Sequence, residues 1–152
     1  MQLTSSAFVH KGLIPSKYTC DGENVSPELL ITTIPEGTKT LALIMEDPDV
    51  PKTIRKDGMW DHWIVWNIPQ NATTLTEGII PGVEGTNTGG ELGYMGPCPP
   101  GKEHRYYFTL YALDIMLNLP EGSTKQKLLE AMKGHILTKT TLMGRYVRQN
   151  DT

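Results

Sequence analysis

Three stretches gather the side chains that could do chemistry. The first is MEDPDVP, where Asp47 and Asp49 are each followed closely by a proline. The second is DHWIVWNIP, which carries His62 at the start of an aromatic run. The third is GPCPPGKEHRYYF, in which the stiff corner at Gly96, Pro97 and Cys98 leads into His104, Arg105 and Tyr106. Two histidines, a tyrosine hydroxyl and a carboxylate among prolines and aromatics suit a concave anion site. A neutral imidazole donates one hydrogen bond and an imidazolium two, and bonds to a charged partner contribute about 1.5–3 kcal/mol each. An ionised Asp47 cannot donate to a phosphate oxygen. It must orient or charge a histidine, meet the cationic end of a zwitterion, or take up a proton.

Side-chain alternation on a strand places His104 and Tyr106 on one face and Arg105 on the other, where Asp49 is its candidate partner. The prolines upstream have little backbone freedom, so they can fix a pocket wall beside His104 before any ligand arrives.

Other chemistries use the same residues. His62, His104 and Asp47 could hold iron in an open facial site, making the chain a metal-dependent enzyme; a local His-x-Asp spacing is missing. Cys98 with His104 could form a nucleophilic pair, but the sequence offers no third group to orient it. The plainer alternatives are a surface turn at Asp-Pro, a satisfied core histidine at position 62, and a protein whose work is done by an interface.

The elements that must position these groups are mostly strands. LALIM (41–45), HWIVWNI (62–68) and RYYFTLYAL (105–113) are rich in β-branched and aromatic residues. They are apolar on both alternating faces, as central strands covered on both sides would be. Alternation puts His62 with Ile64 and Trp66, and Asp61 with Trp63 and Val65. Turn-forming stretches separate the strands. STKQKLLEAMKG predicts a helix with Ser123 as N-cap, Gln126 completing a capping box, an apolar stripe of Leu128, Leu129 and Met132, and Gly134 closing the end. Lys125 and Lys127 sit unfavourably near its positive end, so packing must stabilise it. ILTKTTLMGRYVRQ reads as a last strand. The expected fold is a mostly β, two-sheet sandwich with a late helix; alternating helices for a doubly wound fold are missing.

The 152 residues, with a formal charge of -3, are expected to form a single domain over 1–152. No basic face argues for nucleic acid, and no apolar run approaches the roughly 20 residues of a transmembrane helix. The N-terminus lacks a signal-peptide pattern, which makes a cytoplasmic location the expectation. Cys20 and Cys98 could meet in space, but in such a compartment they are expected to be thiols.

The three stretches, with YTCDGENVSPEL (18–29), run in the order found in a known family. The sequence resembles the phosphatidylethanolamine-binding protein family, in its bacterial and archaeal Raf-kinase-inhibitor-like branch, over nearly its whole length. The resemblance implies a two-sheet sandwich with a small end pocket for phosphate or phosphorylated head groups, including those of lipids. It implies a non-enzymatic binding protein without a cofactor. Its partners would be a phosphate-bearing small molecule or lipid head group, and a protein kinase or peptidase; a homodimer is open. Carried over by position, Asp47, His62, Gly96, Pro97, His104 and Tyr106 would meet ligand, with Asp49 and Arg105 in support. Three departures stand out, one of them the compact PPGKEHRY spacer between the lip and His104. Glu28 replaces a proline of the branch. Asp57, Met59 and Trp60 occupy the region where other members carry a ligand-site tyrosine.

Overall fold

A computed structural model describes residues 1–149; the last three residues of the expected domain lie outside it. Among the described residues, eight strands and one α-helix follow in the order β1 (Gln2–Ser5), β2 (Leu29–Thr32), β3 (Thr40–Asp47), β4 (Trp60–Pro69), β5 (Thr74–Leu75), β6 (Val83–Glu84), β7 (His104–Leu113), α1 (Lys125–Met132) and β8 (Ile136–Tyr146), with a short 3-10 turn at Ser16–Tyr18. They form a three-stranded sheet, β1-β2-β5, and a five-stranded sheet, β6-β4-β3-β7-β8. The fold is a mostly β, two-sheet sandwich with a late helix. Every strand pairing is antiparallel.

The three aromatic and branched runs become the centre of the larger sheet. Their two faces serve two cores, which is why both alternating sets are apolar. One face carries Leu41, Leu43, Met45, Trp63, Val65, Tyr106, Phe108 and Leu110 against Leu3, Leu29, Ile31 and Leu75 of the smaller sheet. The other carries Ala42, Ile44, Ile64 and Trp66 against Leu128 and Met132 of the helix.

The helix is capped by Thr124, not by Ser123. The Thr124 hydroxyl accepts from the Lys127 N–H, while the Ser123 hydroxyl donates to the Pro120 carbonyl. Two adjacent hydroxyl residues make this choice invisible to spacing. Leu128 and Met132 are fully buried and Leu129 is exposed, so the stripe is narrower than expected. Gly134 takes the left-handed conformation foreseen for the helix end, at φ 83°. Lys125 reaches Glu46 at 2.8 Å and Asp61 at 2.7 Å, tying the first turn to β3 and β4. Partly exposed ion pairs contribute at most about 1 kcal/mol each, against roughly 1.5–3 kcal/mol for each buried apolar side chain. Burial therefore holds the helix, and Lys125 sets its register.

Candidate functional site

Strands β3, β4 and β7 are antiparallel neighbours, so the end of β3 and the starts of β4 and β7 meet at one edge of the sheet. Asp47, Trp60, His62, His104 and Tyr106 gather there around a pocket of about 310 Å³. The remaining wall comes from Val50 and Ile54 after β3 and from the 95–100 segment, including Gly96, Cys98 and Pro99.

His62 reaches this pocket through an irregularity that simple alternation does not foresee. Met45 pairs with Trp63 and Glu46 pairs with Asp61, leaving His62 as an extra residue between them. This β-bulge corrects the expected facing. His62 does not follow Ile64 and Trp66 towards the helix. It turns to the side of Trp63 and lies edge-on to Tyr106, with ring centroids 5.2 Å apart.

Both imidazoles are held by their Nδ1 atoms. His62 Nδ1 lies 2.6 Å from the Met95 carbonyl oxygen; a carbonyl only accepts, so Nδ1 carries the proton. His104 Nδ1 lies 2.6 Å from Asp47 Oδ2, with both side chains only 4% exposed. The second oxygen of Asp47 accepts the Asp49 N–H at 2.7 Å. Each neutral ring therefore spends its one N–H inside the protein and keeps a bare lone pair on Nε2. Burial pushes the His62 imidazolium below its ordinary range, opposed in part by the Met95 bond and the Asp47 charge. The Tyr106 hydroxyl is buried and has no hydrogen-bond partner among the described residues. Burial also drives its ionisation well above the usual tyrosine range, so it remains a neutral donor.

Asp49 and Arg105 pair just outside. Arg105 Nε and Nη2 donate to Asp49 Oδ2 and Oδ1 at 2.9 and 2.7 Å, and the Arg105 N–H adds a bond of 2.8 Å to Oδ2. These bonds hold the Asp49 carboxyl below its usual range. The pair fixes the corner after β3 to the start of β7.

The 94–98 lip is tied at four points to the loop after residue 18. Tyr94 Oη donates to the Tyr18 carbonyl at 2.7 Å, Gly96 N–H to Asn24 Oδ1 at 2.9 Å, and Cys20 N–H to the Pro97 carbonyl at 3.1 Å. The fourth tie is a Cys20–Cys98 disulfide, with Cα atoms 5.4 Å apart. Gly96 is packed so closely that a Cβ would collide with the Asn24 side chain and the Tyr18 carbonyl. The YTCDGENVSPEL stretch thus buttresses the lip.

The disulfide corrects the expectation of free thiols. It also removes the nucleophile reading, because a bonded Cys98 sulfur has no thiolate to offer. No three His, Cys, Asp or Glu side chains among the described residues are grouped to hold a metal ion. Both Asp47 oxygens already accept hydrogen bonds, and no such group gathers at His62, His104 and Asp47.

Among the residues singled out from sequence, Asp47, His62, Gly96, His104 and Tyr106 line the pocket. Pro97 is buried behind the lip, with its carbonyl turned to Cys20. Glu28 accepts from Ser6 at 2.7 Å and is not a lining residue. Of the residues at the expected tyrosine region, only Trp60 lines the pocket; it stands opposite Asp47 in the ladder. Sequence reasoning missed Val50, Ile54 and the Met95 carbonyl. The proximity of the first two to Asp-Pro-Asp was the available signal. A backbone acceptor leaves none.

These features define a β-sandwich protein with a small, mainly apolar end pocket built around two buried histidines. The comparisons make the class specific. The model of the phosphatidylethanolamine-binding protein family matches residues 4–147. The UPF0098 protein of Chlamydia muridarum is 55% identical, over 96% of this chain and 98% of its own length. One from Methanothermobacter thermautotrophicus is 48% identical, over 97% and 99%. The crystal structure of a phosphatidylethanolamine-binding protein homologue from Chlamydia trachomatis superposes with a TM-score of 0.95 at 52% identity, covering 97% of each chain. That of Escherichia coli YbcL, described as a new member of the mammalian family, gives 0.86 at 27% identity, covering 97% of this chain and 98% of its own. The chain belongs to the phosphatidylethanolamine-binding protein family. No helix among the described residues is long and apolar enough to cross a membrane.

Proposed function

We propose that the protein is a non-enzymatic binding module whose end pocket captures a phosphate-bearing group. The observation that carries this reading is the convergence of His62, the Asp47–His104 pair and the unpartnered Tyr106 hydroxyl on one desolvated cavity. Tyr106 offers a donor at once. Each histidine gains a donor at Nε2 when it takes up a proton, and the bound anion stabilises that form. Asp47 stays behind His104, where it holds the ring through Nδ1. About 310 Å³ lies at the small end of the range for ligand sites, roughly 300–1,000 Å³. It suits a phosphate with a short substituent, a head group rather than a whole diacyl lipid. Modulation of a protein kinase or peptidase by the loaded protein rests on family likeness.

The test is a titration with inorganic phosphate and with O-phosphorylethanolamine, followed through the ring resonances of His62 and His104. Both rings are expected to shift and saturate together, and His62→Ala or His104→Ala to abolish the binding heat. Undiminished binding in both variants, or no shift up to millimolar ligand, would refute the assignment.

A further inference from the structure

A second cavity, of about 250 Å³, opens at the edge of the sandwich beside β6. At its base lies Glu84, only 6% exposed. Its register opposite Val65 turns the side chain inward, to the face that carries Trp63. Glu84 Oε2 accepts the Trp63 indole N–H at 2.8 Å. Oε1 accepts no hydrogen bond, and no Lys, Arg or His ion-pairs with Glu84, among the described residues.

Burying most of a carboxylate weakens its hydration, and the one indole N–H engages only Oε2, so Oε1 is left as an acceptor facing the cavity. The surroundings keep the free oxygen uncovered. Gly93, at φ 94°, passes so close that a Cβ there would stand 2.9 Å from Oε1. Trp63 and Tyr94, edge-on at 5.4 Å, form an aromatic wall. Val25 and the exposed Ile79, Ile80 and Leu92 make an apolar mouth.

We infer that this cavity is a second binding site, for an organic ammonium cation with a short apolar tail. The ammonium would meet Glu84 Oε1 within the wall formed by Trp63 and Tyr94. The tail would cover the isoleucines and Leu92. Charge selects the occupant: an anion would be repelled by Glu84, and a neutral alcohol would leave the carboxylate uncompensated. No residue lines both cavities, although Tyr94 and Asn24, which tie the lip of the end pocket, also stand in the wall of this one.

The probe is n-hexylammonium at neutral pH, with n-hexanol as the matched neutral control, read through the Trp63 indole N–H resonance that reports directly on Glu84. Hexylammonium is expected to shift that signal saturably, and hexanol to have at most a small effect. Glu84→Gln keeps an acceptor for Trp63 and should weaken amine binding at least about tenfold, one charge-assisted bond's worth. Ile80→Lys, on an exposed side chain, should weaken it without touching the core. His62→Ala should leave the amine response unchanged. No shift at millimolar amine, an equal response to hexanol, or undiminished amine binding in both Glu84→Gln and Ile80→Lys would overturn the inference.

Discussion

Two aspartate pairs stand two residues apart on the same corner and behave differently. Asp47 meets His104 where both side chains are 4% exposed. Asp49 meets Arg105 where the side chains are 25% and 49% exposed. The inner pair couples a carboxylate to an imidazole, both almost wholly buried at the pocket wall. The outer pair is a two-pronged clamp between groups that are both charged at neutral pH, screened by solvent. Neighbouring residues of one type thus take on two jobs, tuning a pocket and bracing its frame. Depth decides which, because Coulomb attraction strengthens several-fold as the effective dielectric falls.

The largest effect should come from breaking the inner pair. Asp47→Ala leaves the His104 Nδ1–H buried without an acceptor and is expected to cost about 3 kcal/mol in denaturant unfolding, together with phosphate binding. A loss below about 1 kcal/mol would show that the pair is no deeper in effect than the outer one. Next comes pH. Burial lowers the His62 pKa, so the unfolded chain binds that proton more readily than the folded one. Folding stability should therefore decline as pH falls below about 6.5. A bound anion favours the protonated ring and should offset that decline. Sulfate, which does not titrate here, should bind about tenfold more weakly for each pH unit above the His62 range, one factor of ten for that one proton. A flat profile would mean that Tyr106 alone does the donating.

Tyr106→Phe should separate binding from folding. The hydroxyl has no partner to lose, so stability should hold or rise by about 1 kcal/mol while anion affinity falls about tenfold. A marked loss of stability would break the reading of an unpartnered donor. The smallest effect is expected at the outer pair. Asp49→Ala should change stability by at most about 1 kcal/mol. The Asp49 pKa lies below that of the unfolded chain, so its contribution is present above about pH 4 and lost as pH falls through the lower folded value. A deficit in the variant that persisted at pH 2 would have to come from packing.

The central strands were legible because their composition suits two covered faces, and the end of each run marked the pocket edge. The Arg105–Asp49 pairing followed from alternation along β7. His62 was misplaced because a bulge belongs to the pairing of two strands and neither sequence alone encodes it. The disulfide was invisible for a related reason: two cysteines far apart in sequence reveal nothing about the distance between their Cα atoms. Glu84 went unnoticed because β6 is two residues long, too short for any periodicity to show. The Thr124 cap was a choice between adjacent hydroxyls that only backbone geometry settles.

The Cys20–Cys98 bridge has a mechanical consequence. It closes a ring of 78 sequence steps that contains β2 to β6, with Asp47, His62 and Gly96; His104 and Tyr106 lie outside it. A force applied to the two termini runs through the sulfur bridge and bypasses the ring, withholding roughly 270 Å of contour at about 3.5 Å per residue. Extension would therefore be drawn from the segments outside the ring, β7 with His104 and Tyr106 among them, while β2 to β6 stayed closed within it.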